Sequence, residues 1–496
     1  MDHTSECPGY REALALLSGR INYERAATVG YGDREFKLDR MHELLARLDN
    51  PHRRLPAIHI TGTKGKGSTS AMVASVLTAS GLRTGLFSSP HLDRVEERIA
   101  IDGQACDSAE FVRLVERLRP VVADMDTAAR AVGGHETGPT YFELVTALAW
   151  LHFVEQQVDV AVMEVGMGGR LDSTNVCSPA VTVITSISFD HTKQLGNTLA
   201  EIAGEKAGII KPGVPVVSGV VDAEPRDVVR RVACEHGCRL VELGRDFDVA
   251  YHPPADARLP HAAPKIDFVS RLPGHTVRND GLSLGLLGRH QAANAAVALQ
   301  VIEELRRQQW SISDEAVRRG LAAARLPARV ELVARSPAVV IDGAHNVASV
   351  EALLATLDES FPVARRTLLF ATTRDKDVAG MLARLLPRFD RVVLTRYENN
   401  PRGVPVDELW ALAQGLAAGE AQAGRASIEP DPAAAWRAVW PAASGDELIC
   451  VAGSLFIAAE MRRLALASTG VEALRSTAVS AAEEDFLAGN PATRSN

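Results

Sequence analysis

An alternation constrains this chain more than any other feature. Short apolar, β-branched runs recur, each followed by residues with helical spacing. The runs are "AIHIT" (57–61), "TGLFSS" (84–89), "VDVAVMEVG" (158–166), "AVTVITSI" (180–187) and "VPVVSG" (214–219). Helical patterns fall at 67–80, 108–125, 140–157, 198–210 and 225–236, then at 289–308 and 313–324. Strands that alternate with helices build βαβ units, and strands apolar on both faces belong to a parallel sheet covered on each side. The sequence therefore predicts an α/β fold. Pro327 in "RLPARVELV" breaks the last helical pattern. A second cycle follows, with strands "AVVIDGA" (338–344), "RTLLFATT" (366–373), "RVVLTRY" (391–397) and "LICVAGS" (448–454). The expected organisation is a parallel-sheet domain over 1–326, a smaller Rossmann-like α/β domain over 327–468, and a frayed tail over 469–496. Residues 245–285 depart from the pattern and predict a β-rich excursion at the edge of the first domain.

The bulk numbers exclude several classes. A chain of 496 residues, 46% hydrophobic and 23% charged, has ample material for two or three soluble domains. A net charge of −8 argues against a nucleic-acid partner, which needs a basic surplus. No run approaches the ~18 apolar residues of a membrane span, and "MDHTSECPGYREAL" does not read as a secretory signal. Six scattered cysteines fit reduced thiols in the cytoplasm. Cys234, His236 and Cys238 in "CEHGC" lack the second pair that would complete a tetrahedral metal site.

Chemistry enters at "HITGTKGKGSTSAMV" (59–73): a strand, a turn with Gly62, Gly65 and Gly67, then a helix. Glycines let backbone N–H groups converge on an anion, and the helix N-terminus adds a favourable dipole. The spacing differs from G-x-x-x-x-G-K-[ST]: Gly62 lies four before Lys66, and Gly67 stands where a hydroxyl residue would follow. A second segment, "VDVAVMEVGMGGRLDSTNV", carries Glu164 at the end of an apolar strand and Asp172 beyond a Gly-rich turn. An acid at the carboxyl end of a parallel strand is well placed to hold Mg²⁺ beside a triphosphate. The predicted fold class is thus a P-loop ATPase domain followed by the smaller α/β domain.

Together, "ITGTKGKGST", "SSPHL", "TYFE", "MEVGMGGRLDSTN", "SFDHT", "EKAGIIK", "ARVE" and "DGAHN" resemble the folylpolyglutamate synthase and dihydrofolate synthase family of the Mur ligase superfamily, over roughly residues 35–465. The family carries the extra glycine after its lysine; it more often has Asn where Lys64 stands.

The resemblance implies an ATP-dependent amide ligase. It would add L-glutamate to folates through an acyl phosphate, with ATP and Mg²⁺ as cofactors, and it leaves dihydropteroate open as a further acceptor. Thr63, Lys64, Gly65, Lys66, Gly67 and Ser68 would surround the triphosphate, with Asn294, Arg329 and Asp342 as further ATP contacts. Ser89, Glu164 and His191 would hold Mg²⁺. Lys66, His345 and a carbamylated Lys206 would serve catalysis. Thr140, Tyr141, Phe142, Glu143, Leu171, Asp172 and Ser173 would contact the pterin-bearing substrate. A cytoplasmic monomer is expected, closing around ATP to exclude water from the acyl phosphate. Alternatives are a Mur-type ligase acting on a cell-wall precursor and a nucleotide-dependent switch. A dehydrogenase is disfavoured because "GMGGRLD" lacks G-x-G-x-x-G spacing.

Overall fold

The computed structural model describes residues 7–22, 38–132, 138–272, 274–398, 402–416 and 424–469. The stretch expected to fray lies, from 470 on, outside them. The chain forms two compact units. The first takes the described residues up to His252 with Pro264–Gly285 and Arg289–Leu326; the second takes Pro253–Ala263, Leu286–Gly288 and the described residues from Pro327.

The first unit is built on eight strands: β1 (Ala57–Thr61), β2 (Thr84–Phe87), β3 (Ile99–Ile101), β4 (Gln104–Ala105), β5 (Val160–Glu164), β6 (Pro179–Ile184), β7 (Val216–Ser218) and β8 (Leu240–Glu242). Their order is β4-β3-β2-β5-β1-β6-β7-β8. From β2 to β8 neighbours pair in parallel, while β3 and β4 extend one edge antiparallel. Every residue of β1 and of β5 is buried, which is why these strands read as unbroken apolar runs. The chain leaves β1 towards β2 on one side and later continues through β6 on the other. The carboxyl end of β1 is therefore a point where the winding reverses, the usual ligand position in such sheets.

Ten helices accompany these strands among the described residues: α1 (Tyr10–Ser18), α2 (Leu38–Ala46), α3 (Lys66–Ala79), α4 (Ser108–Val132), α5 (Tyr141–Glu155), α6 (Thr192–Leu195), α7 (Leu199–Ala207), α8 (Ala223–Glu235), α9 (Arg289–Arg307) and α10 (Asp314–Ala323). Helix α8 ends at "CEHGC", where His236 Nδ1 bonds Val232 O at 3.0 Å and Cys238 Sγ donates to Lys211 O at 3.1 Å, so the motif closes a helix. The β-rich excursion is divided. Strands β9 (Phe247–His252), β10 (Lys265–Leu272) and β11 (His275–Ser283) form an antiparallel sheet in the first unit, whereas Pro253–Ala263 groups with the second.

The second unit has β12 (Glu331–Arg335), β13 (Ala338–Ile341), β14 (Arg365–Phe370), β15 (Arg391–Leu394), β16 (Ala426–Ile428) and β17 (Glu447–Ala452), ordered β12-β13-β17-β14-β15-β16. All pairs are parallel except β12 with β13. Its core gathers Val340, Leu354, Leu368, Phe370, Leu382 and Cys450. Among the described residues no helix is long and apolar enough to cross a membrane.

Helix α3 carries the Gly-rich turn at its start and is buried over most of its length. It touches α10 almost backbone to backbone. A Cβ on Gly320 would lie 2.4 Å from the Val76 Cα, and Ser75 Oγ donates to Gly320 O at 2.7 Å. Gly320→Ala must push the helices apart; it is expected to cost about 1–3 kcal/mol, as overpacking does. Urea unfolding of the variant measures this, and an unchanged midpoint would contradict the close approach.

Candidate active site

Lys66 opens α3, and Gly65 precedes it in the left-handed region at φ 84 with no side chain capping the helix. The first amides of α3 therefore point out of the helix without a side-chain acceptor, the arrangement that binds anions. The turn is held from outside. Thr63 N donates to Ser186 O at 2.8 Å, Lys64 N to Ser186 Oγ at 3.0 Å, and Thr185 Oγ1 donates to Lys64 O at 2.6 Å. A Cβ at Gly62 would lie 1.9 Å from Thr185 Oγ1, and one at Gly65 2.2 Å from Asn294 Oδ1. These two positions are glycine because neighbouring side chains occupy the space. Asn294 is oriented by donating to Gln291 Oε1 at 3.0 Å.

The two lysines differ. The Lys66 ammonium folds back across the turn, donating to Gly62 O at 3.0 Å and more weakly to Thr63 O at 3.4 Å. Lys64 is gripped by its main chain and is exposed.

Glu164 ends β5 beside Ile60 of β1 and is 3% exposed. Both its oxygens lie 3.6 Å from where a Gly67 Cβ would be, so the carboxylate sits over the first turn of α3. Ser89 N donates to Glu164 Oε2 at 3.2 Å, which brings the "SSPHL" segment to the same place. Thr69 Oγ1, also in that turn, is buried without a hydrogen-bond partner. Among the described residues no three His, Cys, Asp or Glu side chains gather as a metal cage. A carboxylate with nearby hydroxyls instead suits Mg²⁺, which shares its coordination with phosphate and water. His191 stands in a left-handed conformation ahead of α6; its imidazole is 54% exposed, 4.0 Å from Asp190.

Lys206, in the last turn of α7, is 3% exposed. Burial, reinforced by the positive charge of Lys66, pushes its ammonium down to about 7, against the attraction of Asp190 and Asp172. The Lys206 amine thus lies within electrostatic reach of Lys66 and gives up its proton more readily than an exposed lysine. The carbamylation expected from the resemblance requires an unprotonated amine, since only that form adds CO₂.

The residues expected to contact a pterin have structural work. Thr140 caps α5 and Glu143 answers it, accepting from Thr140 N at 2.8 Å while taking Arg40 Nε at 2.8 Å. The Phe142 ring lies on Gly166, whose Cβ would meet it at 2.5 Å, and Tyr141 packs under the Arg98 guanidinium at 5.4 Å. Asp172 accepts from Met167 N at 3.0 Å, Thr174 N at 3.0 Å and Thr174 Oγ1 at 2.6 Å, and burial pushes its carboxyl up. Together they shape the loop after β5. Leu171 and Ser173 flank Asp172 at half-buried positions on that loop.

In the second unit, three expected residues converge on Gly343. A Cβ there would lie 2.6 Å from Arg329 Nη1, so the guanidinium lies directly over this glycine. His345 Nδ1 donates to Gly343 O at 2.8 Å, because a carbonyl only accepts; in the neutral ring Nε2 is then the acceptor nitrogen. Asp342 accepts from Val330 N at 2.7 Å and Ala344 N at 2.7 Å. Ala328 and Val330, on either side of Arg329, have φ of 53 and 45. Such backbone costs on the order of 1–3 kcal/mol per residue.

Residues 60–302 match the model of the Mur ligase middle domain, and 328–455 that of the Mur ligase, glutamate ligase domain. The dihydrofolate synthase/folylpolyglutamate synthase of Bacillus subtilis is 34% identical over 457 residues, 92% of this chain and 98% of the relative. The chain belongs to the folylpolyglutamate synthase family. Among solved structures, the folylpolyglutamate synthase of Thermotoga maritima superimposes with TM-score 0.78 at 30% identity, covering 94% of this chain and 98% of that one. That of Mycobacterium tuberculosis, complexed with ADP and AMPPCP, gives 0.78 at 32% identity, covering 92% and 98%. In this family member, sequence reasoning overlooked Thr185 and Ser186, the hydroxyls that grip the phosphate loop. Their signal was present: a run of Thr and Ser directly after a buried strand that neighbours the Gly-rich turn.

The Lys206 amine is testable. Reductive methylation read by peptide mass mapping should show half-maximal reaction near pH 7 for Lys206, against about 10 for exposed lysines. Lys66→Ala, which removes a like charge, should raise the Lys206 value. A midpoint near that of exposed lysines would refute the assignment. Since an unfolded lysine keeps its proton up to about 10.5, this group's contribution to fold stability rises between pH 7 and 10.5 and is flat below.

Proposed function

We propose that this folylpolyglutamate synthase family member is an ATP-dependent carboxylate–amine ligase that adds L-glutamate to folates. The observation that carries the reading is the uncapped phosphate loop with Glu164 set over its first helical turn. The B. subtilis relative bears both ligase names, and the M. tuberculosis structure holds ADP and AMPPCP.

The chemistry follows from charge. A folate carboxylate is a poor electrophile and must approach another anion, ATP. Lys66 and the α3 amides take the phosphate charge, and Arg329 is proposed as a further cation for it. The carboxylate attacks the γ-phosphorus, ADP leaves, and an acyl phosphate results. The deprotonated glutamate amine then attacks the acyl carbon, the carbon–oxygen bond to phosphate breaks, and the amide forms. His345, with Nδ1–H committed to Gly343 O, offers Nε2 to the proton that the amine must lose. Glu164 and Ser89, with His191, would hold the divalent ion that accompanies ATP, which neutralises phosphate charge when bound. No side chain needs to act as a covalent nucleophile. Asn294 is proposed to border the nucleotide; Asp342 is proposed to serve ATP through the Arg329 segment it holds. Six unpaired cysteines support a cytoplasmic setting, and the enzyme is proposed to work as a monomer.

Two experiments test this. The purified protein with ATP, Mg²⁺ and glutamate should release ADP with tetrahydrofolate as acceptor; dihydropteroate reports whether the activity is bifunctional. ADP release with a cell-wall nucleotide alone would overturn the folate reading, and release without any acceptor would indicate a nucleotide switch. Separately, Lys66→Ala should lower turnover by at least about 100-fold, as loss of a transition-state contact does. Lys64→Asn should largely preserve turnover. The opposite pattern would show the two lysines assigned backwards.

A further inference from the structure

Arg329 is the centre of an unusual piece of backbone. Ala328 and Val330 on either side of it both have left-handed φ, and Val330 is β-branched, for which that conformation is a genuine outlier. Nothing local favours this shape, so it persists because surrounding groups impose it. Each strained residue is held by one carboxylate. Val330 N donates to Asp342 Oδ2 at 2.7 Å, and Ala328 N donates to Glu331 Oε2 at 3.0 Å. Asp342 is itself fixed by Ala344 N at 2.7 Å. Glu331 is fixed differently. Arg462, from the helix Leu455–Thr469, forks onto both its oxygens, Nε to Oε2 at 2.8 Å and Nη2 to Oε1 at 2.8 Å. The pair is mostly buried, at 18% and 15% side-chain exposure. Bidentate geometry and partial burial separate it from the surface ion pairs that contribute little.

We propose that Glu331 and Arg462 are positioning residues for Arg329. Arg462 orients the Glu331 carboxylate, the carboxylate holds the Ala328 amide, and the left-handed turn keeps the Arg329 guanidinium over Gly343. This rests on the reading of Arg329 as an ATP contact. Neither Glu331 nor Arg462 touches substrate in this account; both act through Arg329. Arginine's rigid planar fork sets Nε and Nη2 in parallel on the two carboxylate oxygens, a geometry that lysine's single ammonium does not fix.

Steady-state kinetics of single and combined variants test the proposal, each variant first checked for an unchanged circular dichroism spectrum. Arg329→Ala should lower kcat/KM for ATP by about 100-fold. Glu331→Gln and Arg462→Met should each lower it by about 10-fold, in line with loss of a charge-assisted hydrogen bond, and leave the KM for glutamate unchanged. In the Arg329→Ala background, Glu331→Gln should add nothing further. Arg462→Lys should recover part of the loss, as should Ala328→Gly in the Glu331→Gln background, because glycine adopts the left-handed conformation that Glu331 otherwise holds at this position. Limited trypsin cleavage after Arg329 should be faster in Glu331→Gln than in the parent, a readout independent of turnover. Additive losses in the Arg329→Ala background, or a parallel rise in the KM for glutamate, would make the pair a brace of the fold and overturn the proposal. If Arg329→Ala itself leaves kcat/KM for ATP unchanged, the reading of Arg329 fails, and the pair has nothing to position. If Arg329→Ala is impaired while Glu331→Gln and Arg462→Met are not, only the positioning role fails.

Discussion

The Thr185 hydroxyl on the Lys64 carbonyl is a small contact on which much of the first unit's chemistry depends. Backbone amides bind an anion well only if they already point at it, because ordering a loop costs free energy that binding must overcome. Here the ordering is done during folding. The loop after β6 grips the turn after β1 through Thr185 and Ser186, and Asn294 of α9 fills the space above Gly65. Lys66 can then fold across a turn of settled shape. Larger residues at Gly62 or Gly65 would not merely crowd a ligand; they would separate the protein elements that give the turn its form.

The carboxylates divide their work in a way that composition conceals. Glu143, Asp172 and Asp342 each accept backbone amides and so organise segments of main chain. Buried carboxylates need such partners, since desolvation without them is expensive. Glu164 belongs to another group. It accepts from the Ser89 amide and lies over the start of α3, where a cation beside phosphate would be stabilised. Carboxylates thus organise main chain in three places, two in the first unit and one in the second, and one serves as a candidate ligand in a fourth.

This division explains what the sequence revealed and what it hid. The parallel strands were legible because burial on both faces leaves continuous apolar runs, and α3 was legible because glycines precede it. The antiparallel edge of β3 and β4 was not, since β4 is two exposed residues long with no periodicity to read. "TYFE" has the T-x-x-E pattern of a capping box just before an apolar helix, so a local structural role could have been read from it. The Thr and Ser run after β6 was in view, but the partner of Ser186 was not, because its bond to Lys64 spans 122 residues. The strained turn around Arg329 was also invisible: no glycine marks it, and its supports come from Asp342 and from Glu331 backed by Arg462.

The contact of α3 with α10 has a consequence in time. Ser75 bonds to a carbonyl 245 residues further along the chain. A ribosome adding about 5–20 residues per second needs on the order of tens of seconds to cover that distance. Throughout that interval the phosphate turn has been synthesised, yet α10 is not there to pack on its helix, and until α9 is made no Asn294 leans on Gly65. The growing polypeptide therefore carries its most recognisable motif early and in an unfinished state. Its nucleotide loop matures only when the last helix of the first unit has emerged.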